Sequence, residues 1–317
     1  MASISRGVQY LLHNKVQFCD SIVKNYFSWL PDKLYLSLLY RLRMGSWIDW
    51  DNPKTFSEKI QCLKIRNREP EYTTMVDKYA VKKYVAELIG KQHIIPTLGV
   101  WDKVDDIDWE VLPNQFVLKT THGGGSCGVF ICKNKSELDR QEVKRKMKRS
   151  LASDIYSEFR EWPYKNIKKR IIAEKYMVPS DRLNDSTYDL SDYKFFCFNG
   201  EPQFCQVIRD RNSNETIDFY DMEWIHQEFI GLNPVARNGL NPVARNGLNP
   251  VARPKHLDEM QNICRKLSKG IPFVRVDLYV IDDKTYFGEL TFFPASGFGV
   301  FSPKEWNVKL GDLLEIP

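Results

Sequence analysis

FVRVDLYVIDDKTYFGELTFFPASG, residues 273–297, decides how the rest of the chain is read. Phe273, Arg275 and Asp277 alternate with Val274, Val276 and Leu278, the two-residue period of a strand. Ile281 to Lys284 is a polar turn, and Tyr286 to Phe292 resumes an aromatic and β-branched run. Side chains two apart share a strand face, so Asp277 and Glu289 can stand side by side on this hairpin. Two carboxylates flanked by apolar residues are costly to bury without a cation between them. Taken alone, the pair reads as solvated acids at a sheet edge. An earlier stretch changes that reading.

That stretch is FVLKTTHGGGSCGVFICK, residues 116–133. A strand over Phe116 to Leu118 ends in Lys119, and His122-Gly123-Gly124-Gly125-Ser126 leads to a second strand from Gly128 to Cys132. Glycines allow positive φ and let backbone N–H groups approach an anion. The loop lacks the GxxxxGK[ST] pattern and no helical periodicity follows it, so it is not a P-loop. By itself it reads as a flexible hairpin tip.

Read together, the two stretches resemble the ATP-grasp superfamily. The segments NPKTFSEKIQCLK (52–64), VDKYAVKKYV (76–85), LPNQFVLKTTHGGGS (112–126), IIAEKYM (171–177) and DYKFFCFNGEPQF (192–204), with the carboxylate hairpin, are similar to the TupA-like ATP-grasp family. That family is named for teichuronopeptide biosynthesis and is found among bacterial surface-polysaccharide genes. The resemblance covers roughly residues 50 to 317. It implies an α+β, ATP-grasp fold, with two α+β lobes gripping ATP between them behind a helical N-terminal extension. The expected divisions are 1–65 for the extension, 66–170 for the lobe with the glycine loop, and 171–317 for the lobe with the metal site.

The composition is that of a globular protein large enough for one two-lobed domain or two small ones, at 317 residues. A formal charge of +5 is compatible with nucleotides and too weak to argue for nucleic acid. Seven cysteines, at 19, 62, 127, 132, 197, 205 and 264, form no CxxC and no metal spacing. They read as buried thiols in a reducing, cytoplasmic setting. Residues 1–20 hold no continuous apolar core of a signal peptide, and no segment approaches the ~20 apolar residues of a membrane span.

Residues 1–30 carry helical periodicity, and Pro31-Asp32 opens a further helix with Leu34, Leu38 and Leu42 on one stripe. Packing on its own domain is the first reading, and peripheral contact with the inner face of a membrane is the second. Ser57 or Thr55 caps the next helix, and Tyr72 to Leu88 reads as one helix with Asp77, Lys78, Lys82 and Lys83 along a solvated face. Ser136 to Ser153 reads as a charged, exposed helix with little apolar stripe. Arg170 to Val178 is a buried-type strand, and Asn199-Gly200 is a hairpin turn. Residues 231–253 repeat GLNPVARN in tandem, with Asn-Pro and Asn-Gly turn signals and too few apolar residues for a core layer. The repeat is expected in a surface loop, where deletion of two copies leaves the melting temperature nearly unchanged.

The resemblance also implies roles. Asp277 and Glu289 would hold Mg²⁺, which favours carboxylate and phosphate oxygens. Thr291 stands where many ATP-grasp proteins carry an asparagine ligand, which leaves the third ligand open. Lys119 and Lys194 would neutralise phosphate, and Gly123, Gly124, Gly125 and Ser126 would close over the γ-phosphate. Glu174 and Lys175 would contact ATP, with main-chain groups of Tyr176 and Met177 facing the base. Arg275 would hold a phosphate or an acyl phosphate, and His122 would move a proton or donate to phosphate. The activity implied is amide formation between a carboxylate and an amine, small or glycan-linked, in surface-polysaccharide synthesis. Two other readings stand beside it. One is a glycosyltransferase using a nucleotide-sugar, for which a DxD motif is wanting; the other is a non-catalytic nucleotide-binding protein.

Overall fold

A computed structural model describes residues 20–124, 128–182, 190–209, 215–233 and 250–317. Residues 20–26 are helical, and helices α1 (Asp32–Met44), α2 (Phe56–Arg66), α3 (Tyr72–Val76) and α4 (Ala80–Ile89) follow. The cap of α2 is Thr55, not Ser57. Its side chain accepts from the Glu58 N–H while Glu58 reaches back to the Thr55 N–H, a reciprocal pair that satisfies two orphan donors.

The segment read as one helix from Tyr72 to Leu88 is broken at Asp77. Asp77 Oδ1 accepts from the N–H groups of Tyr79 (2.8 Å) and Ala80 (3.0 Å), which ends α3 and starts α4. Asp77 and Lys78 therefore sit in a tight turn rather than on a solvated helix face.

Strands β1 (Thr97–Trp101), β2 (Phe116–Thr120), β3 (Val129–Cys132) and β4 (Ile171–Lys175) form a sheet in the order β1-β4-β2-β3. On one face Phe116, Leu118, Ile171, Ala173 and Cys132 pack against Val143 and Met147 of α5 (Arg140–Leu151). So the charged helix does carry a stripe, narrow but sufficient, one turn apart at Val143 and Met147. Helix α6 (Ile155–Phe159) leads back to β4.

The second sheet is antiparallel. It contains β5 (Asp192–Phe198), β6 (Glu201–Arg209), β7 (Thr216–Tyr220), β8 (His226–Gln227), β10 (Phe273–Ile281) and β11 (Lys284–Thr291), in the order β11-β10-β5-β6-β7-β8. Strand β9 (Ile230–Asn233) pairs instead with β12 (Val300–Ser302). Helix α7 (Leu257–Ser268) buries Met260, Ile263, Cys264 and Leu267 in the same core as Phe195, Cys197 and Cys205, and α8 (Glu305–Asp312) closes the described chain. The turns are those expected: Asn199 and Gly200, and Asp282 and Asp283, all take positive φ, which matches the twist of a two-residue hairpin.

Cys62, Cys132, Cys197, Cys205 and Cys264 are buried free thiols, as their apolar surroundings suggest. Among the described residues no helix is long and apolar enough to cross a membrane. The expectations for residues 1–19, for Gly125, Ser126 and Cys127, and for most of the octapeptide repeat (234–249) lie outside the described residues.

Candidate active site

Asp277 and Glu289 are direct partners across β10 and β11. One residue further on, Leu278 faces Phe287, so Gly288 is an extra residue in β11. A side chain there would strike the Tyr279 ring at 2.8 Å and the Asp277 carbonyl at 3.0 Å. A glycine thus permits the bulge that sets the two carboxylates opposite each other.

The same row continues across the sheet. Asp277 faces Lys194 of β5, and Lys194 faces Gln206 of β6. Lys194 Nζ contacts Asp192 (2.9 Å) and Asp277, while Arg275 grips Asp277 with both arms, each at 2.7 Å. Arg275 also donates to Thr291 Oγ1 (3.1 Å) and lies 3.5 Å from Glu289. Buried Asp277 pairs keep the Arg275 guanidinium charged: burial works against the cation, and Asp277 more than offsets it.

The opposing wall comes from the small sheet. Strand alternation puts Val117, Lys119, Ile172 and Glu174 on the face turned away from α5. Glu174 lies between two lysines, Lys119 at 2.7 Å and Lys82 of α4. Lys82 also donates to the Ile95 carbonyl (2.7 Å). Burial alone would raise the Glu174 carboxyl; Lys119 and Lys82 together hold it below its ordinary range. Lys119 stays charged against its burial because Glu174, Glu289 and Asp192 surround it.

Lys78 ties the two walls together. Its N–H donates to the Thr121 carbonyl (2.9 Å), its Nζ to the Gly123 carbonyl (2.6 Å), and the same ammonium lies 3.3 Å from Glu289. Glu289 is the open carboxylate, 35% exposed where Asp277 is 1% exposed. Burial would push its pKa up, but Lys78, Lys194, Arg275 and Lys119 bring it down to about 2.

Five cations thus meet four carboxylates in one cleft: Lys78, Lys82, Lys119, Lys194 and Arg275 against Glu174, Asp192, Asp277 and Glu289. The surplus favours an anion, and it is too small to neutralise a triphosphate without a further cation. Glu289 is the open carboxylate beside the enclosed Asp277, and among the described residues no group of three or more His, Cys, Asp or Glu side chains is gathered to hold a metal ion. Thr291 is adjacent but already receives Arg275, and both Asp277 oxygens are held by Arg275 and Lys194.

Of the residues singled out by sequence, Lys119, Glu174, Lys194, Arg275, Asp277, Glu289 and Thr291 gather here, with Gly123 bonded to Lys78. Two do not. Lys175 pairs with Phe116 and falls on the opposite face of β4 from Glu174, because neighbouring strand residues alternate. His122 is buried behind the loop, its Nε2 on the Ser150 carbonyl (3.1 Å), and does not face the cleft. Burial first, then Lys169 and Lys78, lowers its pKa to about 4, so it is neutral at pH 7. Gly124 lies against Ile155, and Tyr176 and Met177 follow β4, half-buried. Lys78 and Lys82 were missed as cleft residues, since helical periodicity alone places them on a solvated face. The signal available was the spacing in DKYAVKKY.

A second network missed by sequence reading lies beneath the cleft. Lys64 is fully buried and donates to the Phe159 and Ser296 carbonyls, both at 2.9 Å. Ser296 Oγ donates to Glu161 (2.6 Å), and Ala295 and Ser296 take left-handed φ of 48° and 54°. Lys64 thereby pins the chain that leaves β11 just after Thr291.

A protein-family model for TupA-like ATP-grasp proteins matches residues 58–315. Among curated proteins there is no match. Solved structures similar to the chain include the D-alanine–D-alanine ligase from Bacillus anthracis, at 17% identity and a TM-score of 0.39, covering 70% of this chain and 58% of that one. The D-alanine–D-alanine ligase from Helicobacter pylori is 15% identical with a TM-score of 0.39, covering 77% and 60%. The ATP-grasp ligase PsnB with a minimal precursor is 10% identical with a TM-score of 0.38, covering 71% and 55%. The chain therefore spans a little over half the length of these structures.

Proposed function

Because the chain belongs to the TupA-like ATP-grasp family and has the mixed α+β ATP-grasp fold, we propose that it is an ATP- and magnesium-dependent carboxylate–amine ligase. The observation that carries this reading is the facing pair Asp277 and Glu289 set among Lys78, Lys119, Lys194 and Arg275.

The reaction proceeds through an acyl phosphate. A carboxylate oxygen attacks the γ-phosphorus of ATP and ADP leaves; an amine then attacks the acyl carbon, loses a proton and expels phosphate. Catalysis rests on positioning and charge stabilisation. Lys119 and Lys194 bind phosphate oxygens. Arg275, on the same strand face as Asp277, stabilises the transferred phosphoryl group, and in doing so exchanges its Asp277 partner for phosphate. Glu289 and Asp277, with Thr291 beside them, would hold the divalent ion, which would supply charge neutralisation to the phosphates. The glycine loop that begins at Gly123, whose carbonyl Lys78 holds, would close over the phosphates and exclude water. Val117, on the face with Lys119, offers an apolar surface to the base, and main-chain groups after β4 at Tyr176 and Met177 meet its edge.

The substrates fit the synthesis of surface polysaccharide: a carboxylate on a glycan or its precursor and a small amine. The D-alanine–D-alanine ligases and PsnB, named as ligases, are in keeping with this chemistry. The deciding assay measures ADP and phosphate release with candidate uronic or amino-acid carboxylates and amines. Coupled ADP release and amide product is the expected result. Release of a nucleoside diphosphate from a nucleotide-sugar, without ATP turnover, would overturn it.

A further inference from the structure

Five of the twelve large apolar side chains that stand exposed among the described residues fall between Tyr26 and Trp47. Scattered singly, such side chains need no explanation; gathered in one segment they mark a contact surface. Trp29 is 75% exposed, Tyr26 71%, Trp47 61% and Leu34 57%. The family match begins only at residue 58, so this segment lies outside it.

Helix α1 carries the patch. Its inner face, with Tyr35, Leu39 and Tyr40, is buried together with Phe298 in a core of its own. Of the leucine stripe, Leu38 and Leu42 pack partly against that core, and Leu34 is left outside it. The outer face holds Lys33, Leu34, Ser37 and Arg41, neighbours at spacings of three and four residues. Two tryptophans beyond the helix fold back on this face. Arg41 lies over the Trp47 ring, 5.9 Å from its centre, and Lys33 over the Trp50 ring at 5.5 Å. Trp50 Nε1 donates to Ser37 Oγ (2.8 Å). At the other end, Trp29 Nε1 donates to the Tyr26 carbonyl (2.9 Å), so that indole can enter an apolar layer without stranding its donor.

The charge on this face is of one sign. Among the described residues Lys33 and Arg41 form no ion pair, while Asp32, the single acid of α1, turns inward to Arg68 (2.6 Å) and Arg160 (3.2 Å). The nearest acids beyond the helix are Asp49, which accepts from the N–H groups of Asp51 and Asn52, and Asp51 itself.

We propose that this face docks on a lipid bilayer bearing anionic headgroups, with Trp29, Leu34 and Trp47 in the interfacial layer and Lys33 and Arg41 at the headgroups. Tryptophan favours that layer because its ring is apolar and its edge polar, and long basic side chains reach past it to phosphate. The rings stand on the outside of a helix rather than line a groove, which suits a fluid anionic surface; a protein partner is gripped by pockets. Helix α1 is 13 residues long, so its two aromatic ends are about 20 Å apart and lay it flat on the surface. On the inner side Tyr40 and Arg43 meet the Phe298 ring, at 6.3 and 4.9 Å. A bilayer against α1 therefore lies about 10 Å, one helix diameter, from the chain that leaves the Glu289 strand. The docking needs no nucleotide and does not rest on the ligase reading.

The test uses the full chain without nucleotide, with vesicles of phosphatidylcholine containing about 30% phosphatidylglycerol. Co-sedimentation reads binding, and quenching of tryptophan fluorescence by brominated acyl chains reads insertion. The wild type is expected to bind these vesicles, to bind phosphatidylcholine alone about ten-fold more weakly, and to weaken as NaCl screens the charges. Trp29→Ser with Trp47→Ser is expected to lose about ten-fold in affinity and most of the quenching, and Lys33→Gln with Arg41→Gln about three-fold in affinity, with far-UV spectra unchanged. If the double tryptophan variant does not fold, each single change is used, with a loss of about three-fold expected. Ile225→Ser, at an equally exposed apolar side chain elsewhere on the surface, is expected to bind as the wild type does. An absence of vesicle binding overturns the proposal, as does equal binding and quenching by the tryptophan variants. So does a loss caused by Arg145→Gln with Arg149→Gln in place of the tryptophan changes, which would assign binding to α5. A concentration-dependent dimer that the tryptophan changes abolish, seen by analytical ultracentrifugation, would make the occupant a second copy and overturns it as well.

Discussion

Glu289 faces Asp277 across the β10–β11 ladder, yet one carboxylate is open and the other is enclosed by Arg275 and Lys194. The difference follows from position. Asp277 lies on an inner strand with neighbours on both sides, whereas β11 is the edge strand and Glu289 looks toward Lys78 and the small sheet.

Removal of Asp277 leaves buried Lys194 with Asp192 alone and buried Arg275 with only the longer contact to Glu289. Asp277→Ala is expected to destabilise the fold by about 3–5 kcal/mol. Combining it with Arg275→Met should cost less than the sum of the single changes. Urea unfolding of the four proteins checks this; strict additivity would contradict the coupling.

Glu289→Gln should leave the fold nearly intact, since the side chain is 35% exposed, while weakening magnesium-dependent ATP binding at least ten-fold. Calorimetric titration with and without magnesium reads the effect. An unchanged magnesium dependence would remove Glu289 from the metal site.

Gly288→Val places a branched side chain 2.8 Å from the Tyr279 ring and 3.0 Å from the Asp277 carbonyl. Because the backbone atom cannot yield cheaply, a loss of about 1–3 kcal/mol is expected, with weakened ATP binding as Glu289 is displaced. A variant with unaltered melting temperature would show that the bulge does not need glycine.

The fold is expected to lose stability in acid through His122. Its folded pKa of about 4 lies below its ordinary 6.5, so the unfolded chain takes up the proton first. The contribution is complete above about pH 6.5 and is lost as pH falls toward 4, reaching about 3 kcal/mol. His122→Gln should flatten stability against pH across that window. An identical slope in the variant would assign the acid loss to other groups.

Glu174→Ala leaves Lys82 and Lys119 facing each other without their shared acid, and a cost of about 3–5 kcal/mol is expected. Lys119→Met, by contrast, leaves Glu174 with Lys82 and should mainly lower ATP affinity, by ten-fold or more. Paired measurements of melting temperature and ATP affinity separate the two outcomes.

Local pattern was enough for the strands and turns that line the cleft. Two-residue alternation at Phe273 to Leu278, the Asn199-Gly200 and Asp282-Asp283 turns, and the Lys119 strand before the glycines are properties of neighbouring residues, so they are legible from the chain alone. The facing of Asp277 and Glu289 was legible for the same reason. What the tertiary structure decided were the pairings between distant segments. Lys78 and Lys82 look solvated on a helix, yet Asp77 breaks that helix and turns them toward Glu289 and Glu174, at sequence separations that no local period encodes. His122 sits beside the glycines but is drawn inward by Ser150, and Lys64 is buried because carbonyls from 159 and 296 receive it. A charge can be buried only where partners from elsewhere in the chain meet it, and that meeting exists only in the folded protein.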